Sequence, residues 1–443
     1  MRIQLSDHFT YRRLLRFTLP SIVMMVFTSL YSIADGAFVS NCVSSNALSA
    51  INIMLPLCMI ASSFGFMLGT GGSAIVAKTL GEGNPALARR YFTMLVFAVI
   101  ALSGIVSSVS ILFMRPIAYL LGASDLLIED CVAYGTIQMY GNVLFMLQVM
   151  FQSFLIVAEK PKIGLWLTVA AGLTDIALDY LFIYVWDWGI AGAAWSNIIG
   201  CAVGSIVPLI YFLLPNDSLL RLTKTEFYPK ILLKSCTNGS SEMVSSLSAS
   251  LVMFLLNLQM MRFIGEDGVA AITVIMYVDF AFASAALGFC MGAAPVVGYH
   301  YGAQNHEELH NVFRKCLVIL LTAGLCITVT AELLADMAAG LFVSANPSLR
   351  EMTAYGFRAY APVYLIFWVN IFGSSFFTAL SNGKLSALIS FLRTMVFQAG
   401  MILLLPQIFG LDGVWAAIVA AEFLTACLIT IPLLMKQKKV YGY

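Results

Sequence analysis

Three carboxylates stand in stretches that are otherwise apolar. Asp35 interrupts the run "YSIADGAFVS", and Asp175 and Asp179 sit in "GLTDIALDYLFIY". An ionised acid at the centre of a membrane-crossing helix costs about 2.5–3.5 kcal/mol on insertion scales, so an acid retained there is shielded, protonated or functional. Asp175 and Asp179 are i and i+4, which puts both on one helix face. Neighbouring carboxylates in a low dielectric titrate as a coupled set and can hold a proton. With Asn197 and backbone carbonyls added, the same oxygens suit a small hard cation, with Asp35 and Asp179 as the Na⁺ ligands. Burial satisfied by Tyr and Asn donors is the competing reading, and it weighs more for Asp175 than for the other two.

The elements that must position these acids follow from composition. The chain has 443 residues, 60% hydrophobic and only 11% charged. A soluble domain carries about 25% charged residues, so this chain is a membrane protein. Runs of about 20 apolar residues recur from end to end, without the alternation of a β-barrel. Twelve helical spans are expected, near 14–38, 50–78, 91–113, 131–157, 163–186, 189–213, 235–262, 268–298, 311–335, 352–380, 386–405 and 411–435. The fold class is all-α and polytopic. "MRIQLSDHFTYRRLLRF" is polar and basic and lacks a cleavage site, so the first span is expected to stay as an anchor.

Of the 24 Lys and Arg residues, 20 fall on one side; Arg115, Arg262, Arg350 and Arg358 are the exceptions. This bias predicts a multi-pass protein of the cell membrane with both termini in the cytoplasm. Counted from basic residues at the inner end, Asp35 and Asp179 lie about 28 and 26 Å in, and Asn197 lies about 15 Å below the outer end at Asp187. The acids and Asn197 can therefore meet in the outer half of the first six spans. Thr28, Tyr31 and Ser32 extend a polar stripe beside Asp35. Pro20 offers a kink in the first span. The nine cysteines are scattered singly and read as small buried residues.

An internal repeat organises the chain. "GGSAIVAKTLGEGN" (71–84) lies over "GAAPVVGYHYGAQN" (292–305), pairing Gly71 with Gly292, Gly81 with Gly302 and Asn84 with Asn305, each 221 positions apart. "GIAGAAW" (189–195) lies over "GLDGVWA" (410–416) at the same offset, as do two further regions. The chain divides into an N-lobe (1–214), a cytoplasmic linker (215–234) and a C-lobe (235–443). Six spans per half is an even number, so the halves are parallel repeats around a central cavity. That is a transporter architecture with the substrate path between the lobes. No phosphate loop, zinc spacing or nucleophile motif occurs, so no cofactor is expected and an H⁺ or Na⁺ gradient should supply the energy.

The second half does not repeat the acids. At the same offset Asp35, Asp175 and Asp179 fall on Leu256, Val396 and Gly400. Its own intramembrane charges are Glu242, Asp279, Arg393 and Glu422. Glu242 and Asp279 are the candidate contacts for a cationic substrate. Glu242 could equally pair with Arg393, which lies at similar depth. For Asp279 and Glu422, hydrogen-bonded burial outweighs substrate contact.

"SIADGAFVS", "GTGGSAIVAKTLGEGN", "DIALDYLFIY" followed by "GIAGAAW", and "APVVGYHYGAQN" together resemble the multidrug and toxic compound extrusion family, over essentially the whole chain. The resemblance is to a bacterial branch with acids in helices 1 and 5, here Asp35 and Asp179. It implies export of small-molecule organic cations and other amphiphiles in exchange for H⁺ or Na⁺. Membrane lipids surround such a chain; a monomer is expected, and no nucleic-acid partner. The sequence departs from the family pattern at Asp175, often Asn, and at Asn197, often Thr. Other branches use acids in helices 7 and 10, and here span 10 has only Glu351 at its edge. The alternative within transport is a flippase for a lipid-linked saccharide, which would need many more basic residues in its cavity. A multi-span enzyme is the distant alternative; the only histidines are His8, His300, His306 and His310, three of them in the expected loop "YHYGAQNHEELH".

Overall fold

The computed structural model describes the chain apart from residues 1–2, 43–44 and 343–346; the side chains at 33–42, 45–48, 266, 338, 341–342 and 348 also lie outside the described residues. Among the described residues all regular structure is helical. Spans 1 to 4 are Tyr11–Cys42, Ser45–Gly81, Pro85–Leu112 and Ile128–Val157. Span 5 is Pro161–Asp179, continued by a π-helical turn Tyr180–Val185, and span 6 is Gly189–Leu213. Spans 7 to 9 are Pro229–Phe263, Glu266–Gly302 and His306–Phe342. Span 11 is Gly383–Phe391, a π segment Leu392–Gln398 and Ala399–Phe409. Span 12 is Leu411–Thr425, a π segment Ala426–Thr430 and Ile431–Tyr441.

Span 10 differs from expectation. It is two helices, Pro347–Tyr360 and Val363–Ala379, meeting at a bend of 52°. Pro362 accounts for the break, because it disfavours helical backbone at Ala361 and lacks the N–H that would continue the ladder. Counting this pair as one, twelve helices among the described residues are long and apolar enough to cross a membrane. Pro20, by contrast, lies inside an unbroken helix. The histidine loop is also shorter than the sequence suggests: span 8 reaches Gly302 and span 9 starts at His306, so His300 is a buried helical residue.

The lobes meet through spans 1 and 2 on one side and spans 8 and 7 on the other. Helix 1 of each half packs on helix 2 of the other, which is the pairing of a two-fold axis. The contacts repeat residue by residue. A methyl group placed on Gly81 would stand 2.0 Å from the Tyr299 carbonyl oxygen, and one on Gly302 would stand 2.1 Å from that of Lys78. Gly71 likewise faces Ser235 and Gly239, while its repeat partner Gly292 faces Thr18. Turn conformations repeat as well, with positive φ at Gly189 and Gly410 and at Gly83 and Gln304.

All these approaches lie at the end of the bundle that carries both termini. There the N-terminal segment runs across the joint as a strap. The Leu5 amide donates to Glu159 of the N-lobe (2.8 Å), and the Phe9 amide donates to Glu308 of span 9 (2.8 Å). Leu5, Phe9, Leu14 and Phe17 are buried in the same apolar cluster as Phe289, Val297 and Leu309, so the chain's beginning is packed into the C-lobe core.

This floor leaves no room for a side chain. Overpacking costs about 1–3 kcal/mol, so Gly302→Val should raise the share of molecules with the floor parted by roughly 5- to 150-fold. Spin-label distances between the terminal ends of spans 2 and 8 should lengthen accordingly.

Candidate functional site

Inside the N-lobe, spans 5 and 6 pack closely because their facing residues are small. A methyl on Gly200 would meet Ala171 and Asp175 at 3.0 and 3.1 Å, and one on Gly172 would meet Phe27 and Tyr31 of span 1. The result is a cavity of about 10 Å³ lined by Tyr31, Gln148, Ala171, Asp175, Asn197, Gly200 and Cys201. That is about the space of one water molecule or a small ion. Asp175 and Asp179 are 3% and 1% exposed, far below what an unassisted acid tolerates. The structure thus brings Asp175 and Asn197 to one cavity, and Tyr31 of the span 1 stripe joins them. Asp35 belongs to the same helix, but its side chain lies outside the described residues.

Asp179 sits where span 5 passes into its π-turn, a helix distortion frequent at functional sites. The Ser196 hydroxyl donates to Asp179 Oδ1 in a very short contact, and the hydroxyl oxygen also lies 2.9 Å from the Ala193 carbonyl. A hydroxyl has one hydrogen and two lone pairs. It can donate to an ionised Asp179, or it can turn to Ala193 and accept from a protonated one. The carboxyl therefore has a partner in either state. Ser196 was not among the residues singled out from sequence. It lies 17 positions from Asp179 in a run of small residues, and only the packing of two helices reveals the pair. Among the described residues no three His, Cys, Asp or Glu side chains gather as a metal cluster; the oxygens here are two acids, a hydroxyl and an amide.

The C-lobe acids fall into two kinds. Glu422 is 1% exposed and well partnered, accepting from Arg393 Nε, Gln398 Nε2 and Asn370 Nδ2, each at 2.7 Å. The Thr430 hydroxyl in turn donates to Asn370 Oδ1 (2.7 Å). Arg393 thus pairs with Glu422, the hydrogen-bonded fate expected for that acid, rather than with Glu242. Asp279 is half-buried and faces the Tyr360 and Tyr364 hydroxyls. Glu242 is half-buried within electrostatic reach of Arg393. It lies one turn beyond Gly239 on the face of span 7 that touches Met67 of span 2, so it stands just above the closed floor between the lobes. Gln398, Asn370 and Thr430 carry no charge, and nothing in the sequence tied them to Glu422.

The MatE family profile matches the chain twice, at residues 20–181 and again at 243–404. The chain belongs to the MatE family. The multidrug export protein MepA of Staphylococcus saprophyticus is 20% identical to this MatE chain over 441 residues, covering 97% of the chain and 94% of that protein. Among solved structures, a MATE in complex with MaL6 superposes with a TM-score of 0.92 at 21% identity, over 98% of each chain. An outward-facing multidrug resistance MATE family transporter of the MOP superfamily gives 0.89 at 22% identity, also over 98% of each. The family is one of transporters, not enzymes. Its profile, placed once on each half, matches the repeat read from the glycine motifs.

For this MatE chain the Ser196–Asp179 contact is testable. Ser196→Ala removes a donor to a buried acid and should cost about 1–3 kcal/mol of stability. On an Asp179→Asn background the loss should shrink, leaving a coupling of at least about 0.5 kcal/mol in a double-mutant cycle of thermal unfolding in detergent.

Proposed function

We propose that the chain is a cation-coupled antiporter that exports organic cations and other amphiphilic drugs by alternating access, driven by inward movement of H⁺ or Na⁺. The observation that carries this reading is a pair of buried acids one turn apart on span 5, of which Asp175 lines a cavity of ion size in the N-lobe and Asp179 is held by Ser196. Asp35, a few residues beyond Tyr31 on span 1, would complete the set. Ion entry there would shift span 1, whose first turns are packed into the C-lobe. The two lobes are thus mechanically joined through the helix that carries the ion ligand.

The Lys/Arg bias supports a cytoplasmic location for both termini, which makes the closed floor the cytosolic one and this conformation outward-facing. Glu242, half-buried above the floor, would meet a cationic substrate, with Asp279 as a deeper acid of the same lobe. Acids at these places suit a cationic cargo and oppose the pyrophosphate of a lipid-linked saccharide. One charge moving down 100 mV supplies about 2.3 kcal/mol. Ion and substrate need only prefer opposite states by a few kcal/mol for that to drive exchange. The transporter would act as a monomer in the cell membrane.

In proteoliposomes, an imposed pH or Na⁺ gradient should drive accumulation of a fluorescent organic cation, and Asp179→Asn should reduce the gradient-driven rate by at least tenfold. Equal rates for the two proteins would make the N-lobe acids structural and end this reading. Glu242→Gln should weaken transport of cationic dyes more than that of neutral amphiphiles.

A further inference from the structure

The two lobes put their buried polar groups in corresponding places, between the fifth and sixth helix of each half. In the N-lobe these are Asp175 and Asp179 of span 5, with Ser196, Asn197 and Cys201 of span 6. In the C-lobe they are Arg393 and Gln398 of span 11, with Glu422 of span 12. At the offset of 221, Glu422 falls on Cys201, which lines the N-lobe cavity, and Arg393 falls on Gly172, packed against Tyr31 on that cavity's wall. Where the N-lobe has a small residue beside an ion-sized space, the C-lobe has a guanidinium. Where the N-lobe has a thiol, the C-lobe has a carboxylate, and the guanidinium is bonded to it at 2.7 Å.

We propose that Arg393 is a tethered cation that permanently fills the C-lobe counterpart of the N-lobe ion site, so that exchangeable coupling is confined to the N-lobe. The inference rests on the N-lobe coupling reading given above. The geometry fits the role. Glu422 is buried, and three donors already hold its oxygens: Arg393, Gln398 and Asn370. A mobile ion entering there would have to displace a covalently attached one. Both partners lie in or beside distorted helix, since Arg393 and Gln398 belong to the π segment Leu392–Gln398 and Glu422 lies one turn before Ala426–Thr430. Such distortions are the kind of feature that surrounds Asp179 in the other lobe. The other charged or titratable groups facing this pair are Glu242 of span 7 and Asp279 of span 8, and the Tyr360 and Tyr364 hydroxyls of span 10 face Asp279. Arg393 therefore neutralises Glu422 and leaves Glu242, towards the lobe interface, for a cargo that comes and goes.

The pair is a buried ion pair whose parts are costly to separate. Arg393→Gln keeps a hydrogen-bond donor towards Glu422 but removes the charge. The carboxyl would then need a mobile cation, either H⁺ or Na⁺, and the lobe should gain an ion response that it lacks in the native chain.

The test uses the full-length protein in lipid nanodiscs and reads the melting temperature at acid and alkaline pH, each in NaCl and in KCl. An ion that binds only the folded state raises that temperature. Asp179→Asn alone should lose the ion-dependent shift. Adding Arg393→Gln should restore a shift of similar size, and adding Glu422→Gln to both should remove it again. No restored shift in the Asp179→Asn, Arg393→Gln protein would overturn the proposal. So would recovery of folded protein for Arg393→Gln, Glu422→Gln but not for Arg393→Gln alone, since the bare carboxylate would then have recruited no ion. A residual shift in Asp179→Asn that Glu422→Gln abolishes would overturn it too, with Arg393 in place throughout. If wild type and Asp179→Asn shift alike and Glu422→Gln leaves both unchanged, the N-lobe reading is what fails.

Discussion

Backbone meeting backbone across the lobe interface governs this structure. Gly81 against Tyr299, Gly302 against Lys78, Gly71 against Ser235 and Gly239, and Gly292 against Thr18 let four helices approach until main-chain atoms touch. Lipid tails are as apolar as leucine, so a bilayer supplies little hydrophobic drive between helices, and close van der Waals contact between small residues supplies the attraction instead. Such a joint is strong while shut and loses its attraction sharply when parted, because dispersion falls steeply with distance. Both properties suit two lobes that alternate between discrete arrangements.

The polar chemistry is arranged around that joint. Each lobe buries its most enclosed charged groups, Asp175 and Asp179 in one and Arg393 and Glu422 in the other, between its own fifth and sixth helices, while Glu242 and Asp279 stand on the first two helices of the C-lobe. The N-lobe set is acidic with room beside it; the C-lobe set is closed on itself by Arg393 and Glu422. A duplicated fold has thus come to hold two different electrostatic solutions on one scaffold. The repeat is kept in the glycines, where packing tolerates no deviation, and lost in the polar groups, where function does.

Much of this was legible in the sequence. The number of spans, the two halves and their offset follow from hydropathy and from glycine motifs, because apolar length and steric contact leave direct traces in residue type. Asp175, Asp179 and Asn197 could be singled out because charge and polarity inside an apolar run stand out. What the sequence did not disclose was who meets whom. Ser196 looks like any small helix residue until span 6 is laid on span 5, and Gln398 and Asn370 carry no sign that they share Glu422. That Arg393 meets Glu422 and not Glu242 depended on helix rotation, which hydropathy does not encode. The break in span 10 at Pro362 was present as a residue, but proline alone does not decide the matter, as unbroken span 1 with Pro20 illustrates.

The strap at the N-terminus has a consequence for how the molecule is made. Its amide at Phe9 is held by Glu308, 299 residues further along, and the Phe9 carbonyl accepts from Asn311 and Lys315. None of those partners exists until the ribosome has synthesised most of the protein. At a synthesis rate of about 5–20 residues per second, residues 3–9 must wait for roughly 15–60 seconds with Leu5 and Phe9 uncovered. During that interval the first six helices can be inserted and packed, and Glu159 can hold the Leu5 amide, yet the apolar seat of Leu5 and Phe9 is still missing. Residues 3–9, made well before their partners, are therefore among the last to settle, and their docking marks the moment at which both halves are present and joined.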